Sequence, residues 1–141
     1  SPENLYEKPE NAFVANFIGE NNRLMGTVES IDGEKATVKT DSGDIVVASK
    51  VNVNKAGERA TLSLRPERIM VSPSKGKTPN TYSAKVEELI YHGDHIRTRF
   101  NVCGHDDFIV KIPNSIGNVS LKEGKEVNIG WMSEDCLALD G

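Results

Sequence analysis

Apolar and polar residues alternate along most of this chain at the two-residue period of half-buried strands, with turn residues breaking the pattern at short intervals. The cleanest run covers residues 96–102. Ile96, Thr98, Phe100 and Val102 share one face there, and Arg97, Arg99 and Asn101 share the other. Phe108, Val110 and Ile112 continue the pattern as far as Pro113, and Val127, Ile129 and Trp131 repeat it later. Upstream, residues 23–31 read as a strand, Asp32-Gly33 as a turn and residues 35–40 as its hairpin partner. Asp41-Ser42-Gly43 turns again into residues 44–48. Residues 82–91 form a long strand whose apolar phase shifts across Glu87-Glu88, which predicts a bulge or a strong bend. A short strand over 136–139 ends the series.

Midway through the chain, Leu62 with Leu64 and Ile69 with Val71 alternate on either side of Arg65-Pro66-Glu67. Proline has a fixed φ and no N–H, so it interrupts a strand ladder. One strand therefore ends near Arg65 and another starts near Arg68, with a rigid joint between them. Residues 72–80, rich in Pro, Ser, Gly and Lys, read as the main loop boundary. The one helix signal precedes all of this. Pro9 suits a first helical turn, Gly19 suits the position after the last, and Phe13 and Phe17, with Val14 and Ile18, make an apolar stripe. Such a stripe requires a cover, either this domain or a preceding one. The expected fold is therefore all-β: an OB-like barrel architecture from two strand sets, about 23–72 and 82–140, after a linker and short helix in 1–22.

The composition fits a globular protein, with 27% charged and 37% hydrophobic residues in 141. No apolar run approaches the roughly 20 residues that cross a bilayer as a helix. The net charge of −4 argues against a nucleic-acid partner, because phosphate binding draws on clustered Lys and Arg. Cys103 and Cys136 are too few for a disulfide framework and read as free thiols of an intracellular protein. The chain opens Ser1-Pro2-Glu3 without an initiating Met and reads as a piece of something longer.

Catalytic chemistry finds no foothold in the sequence. There is no P-loop, no Gly-x-Ser-x-Gly elbow and no His-Glu-x-x-His, so no catalytic residue is assigned. His92-Gly93-Asp94-His95 and Cys103-Gly104-His105-Asp106-Asp107 hold ligand-type residues, but both read as exposed turns and no metal is assigned. The acidic pairs Glu87-Glu88, Asp106-Asp107 and Glu134-Asp135 attract cations in general, yet neighbours on a strand point to opposite faces and make no dyad. Trp131 falls on the apolar face of its strand and reads as core. Arg97, Arg99 and Lys111 read as a solvated sheet face or a contact to another domain.

Leu64-Arg65-Pro66-Glu67-Arg68-Ile69, Tyr91-His92-Gly93-Asp94, Gly130-Trp131 and Glu134-Asp135-Cys136, in this order after Asn4-Leu5-Tyr6-Glu7-Lys8-Pro9 and Phe13-Val14-Ala15-Asn16-Phe17-Ile18-Gly19, cover nearly the whole chain. Together they resemble the C-terminal part of ABC-importer ATPase subunits, the region carrying the TOBE domain, most of all in putrescine/spermidine-type importers. The resemblance implies a non-catalytic regulatory and dimerisation domain at the cytoplasmic face of the membrane, with ATP and magnesium held by a nucleotide-binding domain that would precede Ser1. Its implied partners are that domain, a second copy of the subunit and, indirectly, the membrane subunits. Arg65 and Glu67 are then interface candidates, and Phe13 and Phe17 a surface that the missing domain covers. A polyamine effector asks for carboxylates and an aromatic wall, for which Glu87, Glu88, Tyr91, Asp94, Trp131, Glu134 and Asp135 are the candidates. The alternatives are an oxyanion module of the molybdate type, using Lys75-Gly76-Lys77-Thr78, and, further off, an OB-type nucleic-acid binder.

Overall fold

The computed structural model describes residues 20–114 and 120–141. The helix read over residues 9–19, with Phe13 and Phe17, lies outside the described residues. Among the described residues there are ten strands: β1 (Asn22–Asp32), β2 (Lys35–Thr40), β3 (Ile45–Lys50), β4 (Arg59–Leu64), β5 (Met70–Val71), β6 (Asn80–Tyr91), β7 (His95–Val102), β8 (His105–Pro113), β9 (Glu126–Trp131) and β10 (Cys136–Asp140). Two short 3-10 turns, Pro66–Arg68 and Ser133–Asp135, punctuate them.

The chain divides into two compact units. The first runs to Arg65 and resumes over Met132–Gly141; the second is Pro66–Trp131. The two strand sets read from the sequence are thus interleaved, because the last strand returns to the first unit.

That first unit is a closed barrel in the order β1-β2-β3-β10-β4, with β4 pairing back onto β1. Period-two alternation turns Leu24 and Val28 of β1 inward with Val38, Val46, Leu62 and Ala138 from the other strands, all at most 2% exposed. Closure removes the free edges that a small antiparallel sheet would otherwise present. β10 runs parallel to β3, with Leu137 opposite Ser49, and antiparallel to β4, with Ala138 opposite Leu62. Gly26 faces inward opposite Thr40, where a Cβ would meet the Lys39 carbonyl and lie 2.8 Å from Val38 Cγ1. After β3, Val53 is fully buried, and the Asn52 carboxamide oxygen accepts the Asp140 N–H at 2.8 Å, which ties this connection to β10.

In the second unit a five-stranded antiparallel sheet has the order β5-β9-β6-β7-β8. The expected bulge is present, as the β6–β7 register slips between Val86 and Glu88. Arg65-Pro66-Glu67 is the joint between units: the chain leaves β4, turns through Pro66–Arg68 and forms only the two-residue β5, shorter than the strand expected from 68 to 72. Pro66 sets a turn-compatible φ, and that consumes the residues before Met70. Cys103 and Gly104 form the two-residue β7–β8 hairpin turn with φ of 52° and 79°, values that a primed turn requires. The sequence read an exposed turn here; Cys103 at its apex is in fact buried, at 8% exposure.

Trp131 shows how this sheet is shaped. Its ring centroid lies 5.1 Å from Tyr82 of β6 and 5.7 Å from Phe108 of β8. Strand spacing would hold β9 and β8 about 14 Å apart in a flat sheet. The sheet therefore coils into a half-barrel, with Trp131 filling its interior beside Phe100, Val86, Val110 and Ile129, all 0% exposed.

Candidate functional site

The polar features described below stand on hairpins, strand ends and a strand bulge. In the second unit the most elaborate is the β6–β7 turn. His92 N–H donates to the His95 carbonyl at 2.8 Å and closes the hairpin. Asn114, just beyond β8, donates its amide to the carbonyls of His92 (3.3 Å) and Gly93 (3.0 Å), while its own N–H reaches the Asp94 carbonyl at 3.2 Å. The imidazoles of His92 and His95 stack with centroids 4.7 Å apart, and Asp94 Oδ1 lies 2.7 Å from His95 Nδ1. That hydrogen bond, with help from backbone donation, holds the Asp94 carboxyl below its ordinary range. Tyr91 projects beside this turn, 69% exposed.

Glu87 and Glu88 sit at the β6 bulge, where Glu88 Oε1 takes a 3.5 Å contact from Arg99 Nε. Arg99 also donates to the Asp106 carbonyl at 2.7 Å. Trp131 lies elsewhere. It pairs with Asn80, at the opposite end of the 12-residue β6 from Tyr91, roughly 35 Å along the strand. Glu134 and Asp135 belong to the other unit, on the turn leading into β10. Of the seven effector candidates, then, the structure gathers Glu87, Glu88, Tyr91 and Asp94 along the distal half of β6 and its turn. Arg65 and Glu67 stand exposed on either side of the buried Pro66.

Three polar features escaped the sequence reading. Arg59 forms a two-pronged pair with Asp41, at 2.8 and 2.9 Å, and also donates to Thr27 Oγ1; the Asp41 hydrogen bond raises its already high pKa. Lys35 Nζ donates to Ser133 Oγ at 2.6 Å, and Ser49 Oγ to the Ser133 carbonyl at 3.2 Å. Asn114 bridges the β6–β7 turn as described. Only Asn114 left a local signal, an Asn directly after the strand-ending Pro113. Among the described residues no three His, Cys, Asp or Glu side chains converge as a metal ion would need. Thr78, in the loop considered for an oxyanion, is buried with its hydroxyl 2.6 Å from that of Thr81.

Comparison with known proteins fits this architecture. The chain is 32% identical over 142 residues to the spermidine/putrescine import ATP-binding protein PotA of Rubrobacter xylanophilus, covering 99% of this chain and 37% of that protein. It is 33% identical over 146 residues to the protein of the same name from Trichodesmium erythraeum, covering 99% of this chain and 38% of that protein. The chain thus spans little more than a third of the length of these curated relatives. Among solved structures it is similar to the cytoplasmic molybdate-binding protein ModG, crystallised with molybdate bound, at a TM-score of 0.74 and 14% identity. That likeness covers 85% of this chain and 96% of ModG and concerns the fold. The TOBE domain family matches residues 62–139, more than half of the sequence. The chain belongs to the TOBE domain family.

Proposed function

We propose that this chain is a non-catalytic regulatory and assembly domain of the ATP-binding subunit of a polyamine-type ABC importer. The observation that carries the reading is the alignment of 99% of the chain with spermidine/putrescine import ATP-binding proteins. ATP and magnesium belong, in this reading, to the nucleotide-binding domain of the same subunit, and the protein works at the cytoplasmic face of the membrane. Two copies of the domain keep the subunit pair together while the ATP sites open and close, with Arg65 and Glu67 as interface residues. An effector shifts that equilibrium only by binding one state better than the other. Glu87, Glu88, Asp94 and Tyr91 are the group that suits a polyamine: carboxylates for the ammonium groups and an exposed ring for cation–π contact. Glu134 and Asp135 offer a second, separate acidic turn.

Isothermal titration calorimetry with spermidine and putrescine, with molybdate as the control, tests the effector role. The titration is run at low salt and again at about 0.15 M, where screening weakens exposed charge pairs. Saturable polyamine heat that survives the higher salt supports an effector site on β6. Heat that vanishes leaves assembly alone, for which sedimentation equilibrium must show a dimer; a monomer without polyamine binding overturns the proposal.

A further inference from the structure

The β6–β7 turn carries two histidines that are unequally provided with counter-charge. Their imidazoles lie nearly parallel, 21° apart with centroids at 4.7 Å. His95 has a carboxylate beside it, Asp94 Oδ1 at 2.7 Å from its Nδ1. His92 makes no ion pair among the described residues, and its charge is the least of the influences on the Asp94 carboxyl. The backbone ties the same residues down. His92 N–H closes the hairpin on the His95 carbonyl, and Asn114 holds the His92 and Gly93 carbonyls from the end of β8. The nearest other charges on β7 and β8 are cationic: Arg97 shares the outward face of β7 with His95, and Lys111 lies opposite Arg97. Pro113, opposite His95, and Asn114 carry no charge. On β6 the neighbouring titratable group is Tyr91, with Glu87 and Glu88 farther back, the latter in contact with Arg99.

We propose that this turn is a two-step proton switch: the first proton tightens it through the His95–Asp94 pair, and the second, on His92, drives the stacked rings apart and slackens the Asn114 clasp. Histidine is the side chain that ordinarily changes charge between about pH 5 and 8. One imidazolium against a neutral ring keeps the stack and gains a charge-assisted bond to the carboxylate. A second imidazolium sets like charges face to face at 4.7 Å, with one carboxylate to serve two cations. Even at the dielectric constant of water, repulsion at that spacing lowers the stacked population about fourfold. The exposed His92 ring escapes it by turning out into solvent. The switch goes beyond the effector reading and does not depend on it, although Tyr91 and Asp94 lie at the same turn.

The test is NMR of the isotope-labelled chain between about pH 8 and about pH 5. It follows the ring-to-ring Overhauser effects of His92 and His95 together with the side-chain amide signals of Asn114. The ring contact should strengthen as the first proton is taken up and fall about fourfold or more with the second, the Asn114 signals moving with it. His92→Phe keeps a ring in place without a second charge, and His92→Gln removes both ring and charge, so in each the Asn114 signals should lack the second step. In Asp94→Asn the first proton should no longer strengthen the contact. The proposal is overturned if the rings stay in contact with both protonated, or if Asn114 in the two His92 variants follows the parent through both steps. It is equally overturned if Asp94→Asn tightens on its first proton as the parent does.

Discussion

Replacing Trp131 separates packing from polarity inside the half-barrel. The residue is fully buried, its ring between Tyr82 at 5.1 Å and Phe108 at 5.7 Å, so Trp131→Ala should cost about 3–5 kcal/mol. Its indole N–H, however, finds no hydrogen-bond partner among the described residues. A buried donor left unmade costs about 1–3 kcal/mol, and phenylalanine lacks it. Trp131→Phe also gives up roughly 50 Å² of buried ring, about 1.3 kcal/mol at 25 cal/mol per Å². The two contributions nearly cancel, so Trp131→Phe should remain within about 1 kcal/mol of the parent. Urea denaturation followed by far-ultraviolet circular dichroism measures all three proteins. In the parent, fluorescence of the single tryptophan reports on the second unit directly. A Trp131→Phe protein destabilised as much as Trp131→Ala would refute the reasoning, because it would mean that the indole nitrogen has a partner.

Thr98 is also 0% exposed, with its hydroxyl unpartnered among the described residues, so Thr98→Val should raise the urea midpoint by an amount equivalent to about 1 kcal/mol; a lower midpoint counts against the orphan hydroxyl. Gly26→Ala and Gly130→Ala should each destabilise by about 1–3 kcal/mol in the same assay, because their new methyl groups would meet backbone atoms that cannot swing aside. At Gly26 these include Thr40 Cα at 2.9 Å, and at Gly130 the Asn80 carbonyl at 2.6 Å; either variant retaining full stability would refute the close approach. Asp94 has a folded pKa below its ordinary 3.8, chiefly through the His95 hydrogen bond, so this contact adds stability above pH 3.8 and loses it as the pH falls through the lower folded value. Carboxyl titration by NMR should show the Asp94 pKa rising in a His95→Ala variant, and an unmoved titration would refute that cause.

Much of the fold is written locally. Ile96, Thr98, Phe100 and Val102 face inward because an alternating pattern leaves one side for the core, and the phase slip at Glu87-Glu88 marks the observed bulge. Pro66 announces the joint between the two units, since its ring forbids a continuous ladder. The candidate site was less legible. Glu87, Glu88, Tyr91 and Asp94 are near neighbours in the chain and stay together along β6 and its turn, whereas Trp131, from the same set of candidates, lies at the far end of that strand.

What the sequence determined by itself is therefore strand identity, the inward and outward faces and the turns, all set by interactions within a few residues. Only the tertiary structure decided that β10 closes the first barrel, that Lys35 meets Ser133 across 98 positions, and that Phe108 reaches Trp131 through a coiled sheet. It also set Arg97 against Lys111. A period-two pattern says which face is buried but not which strand will lie alongside; that choice depends on burial summed over distant segments.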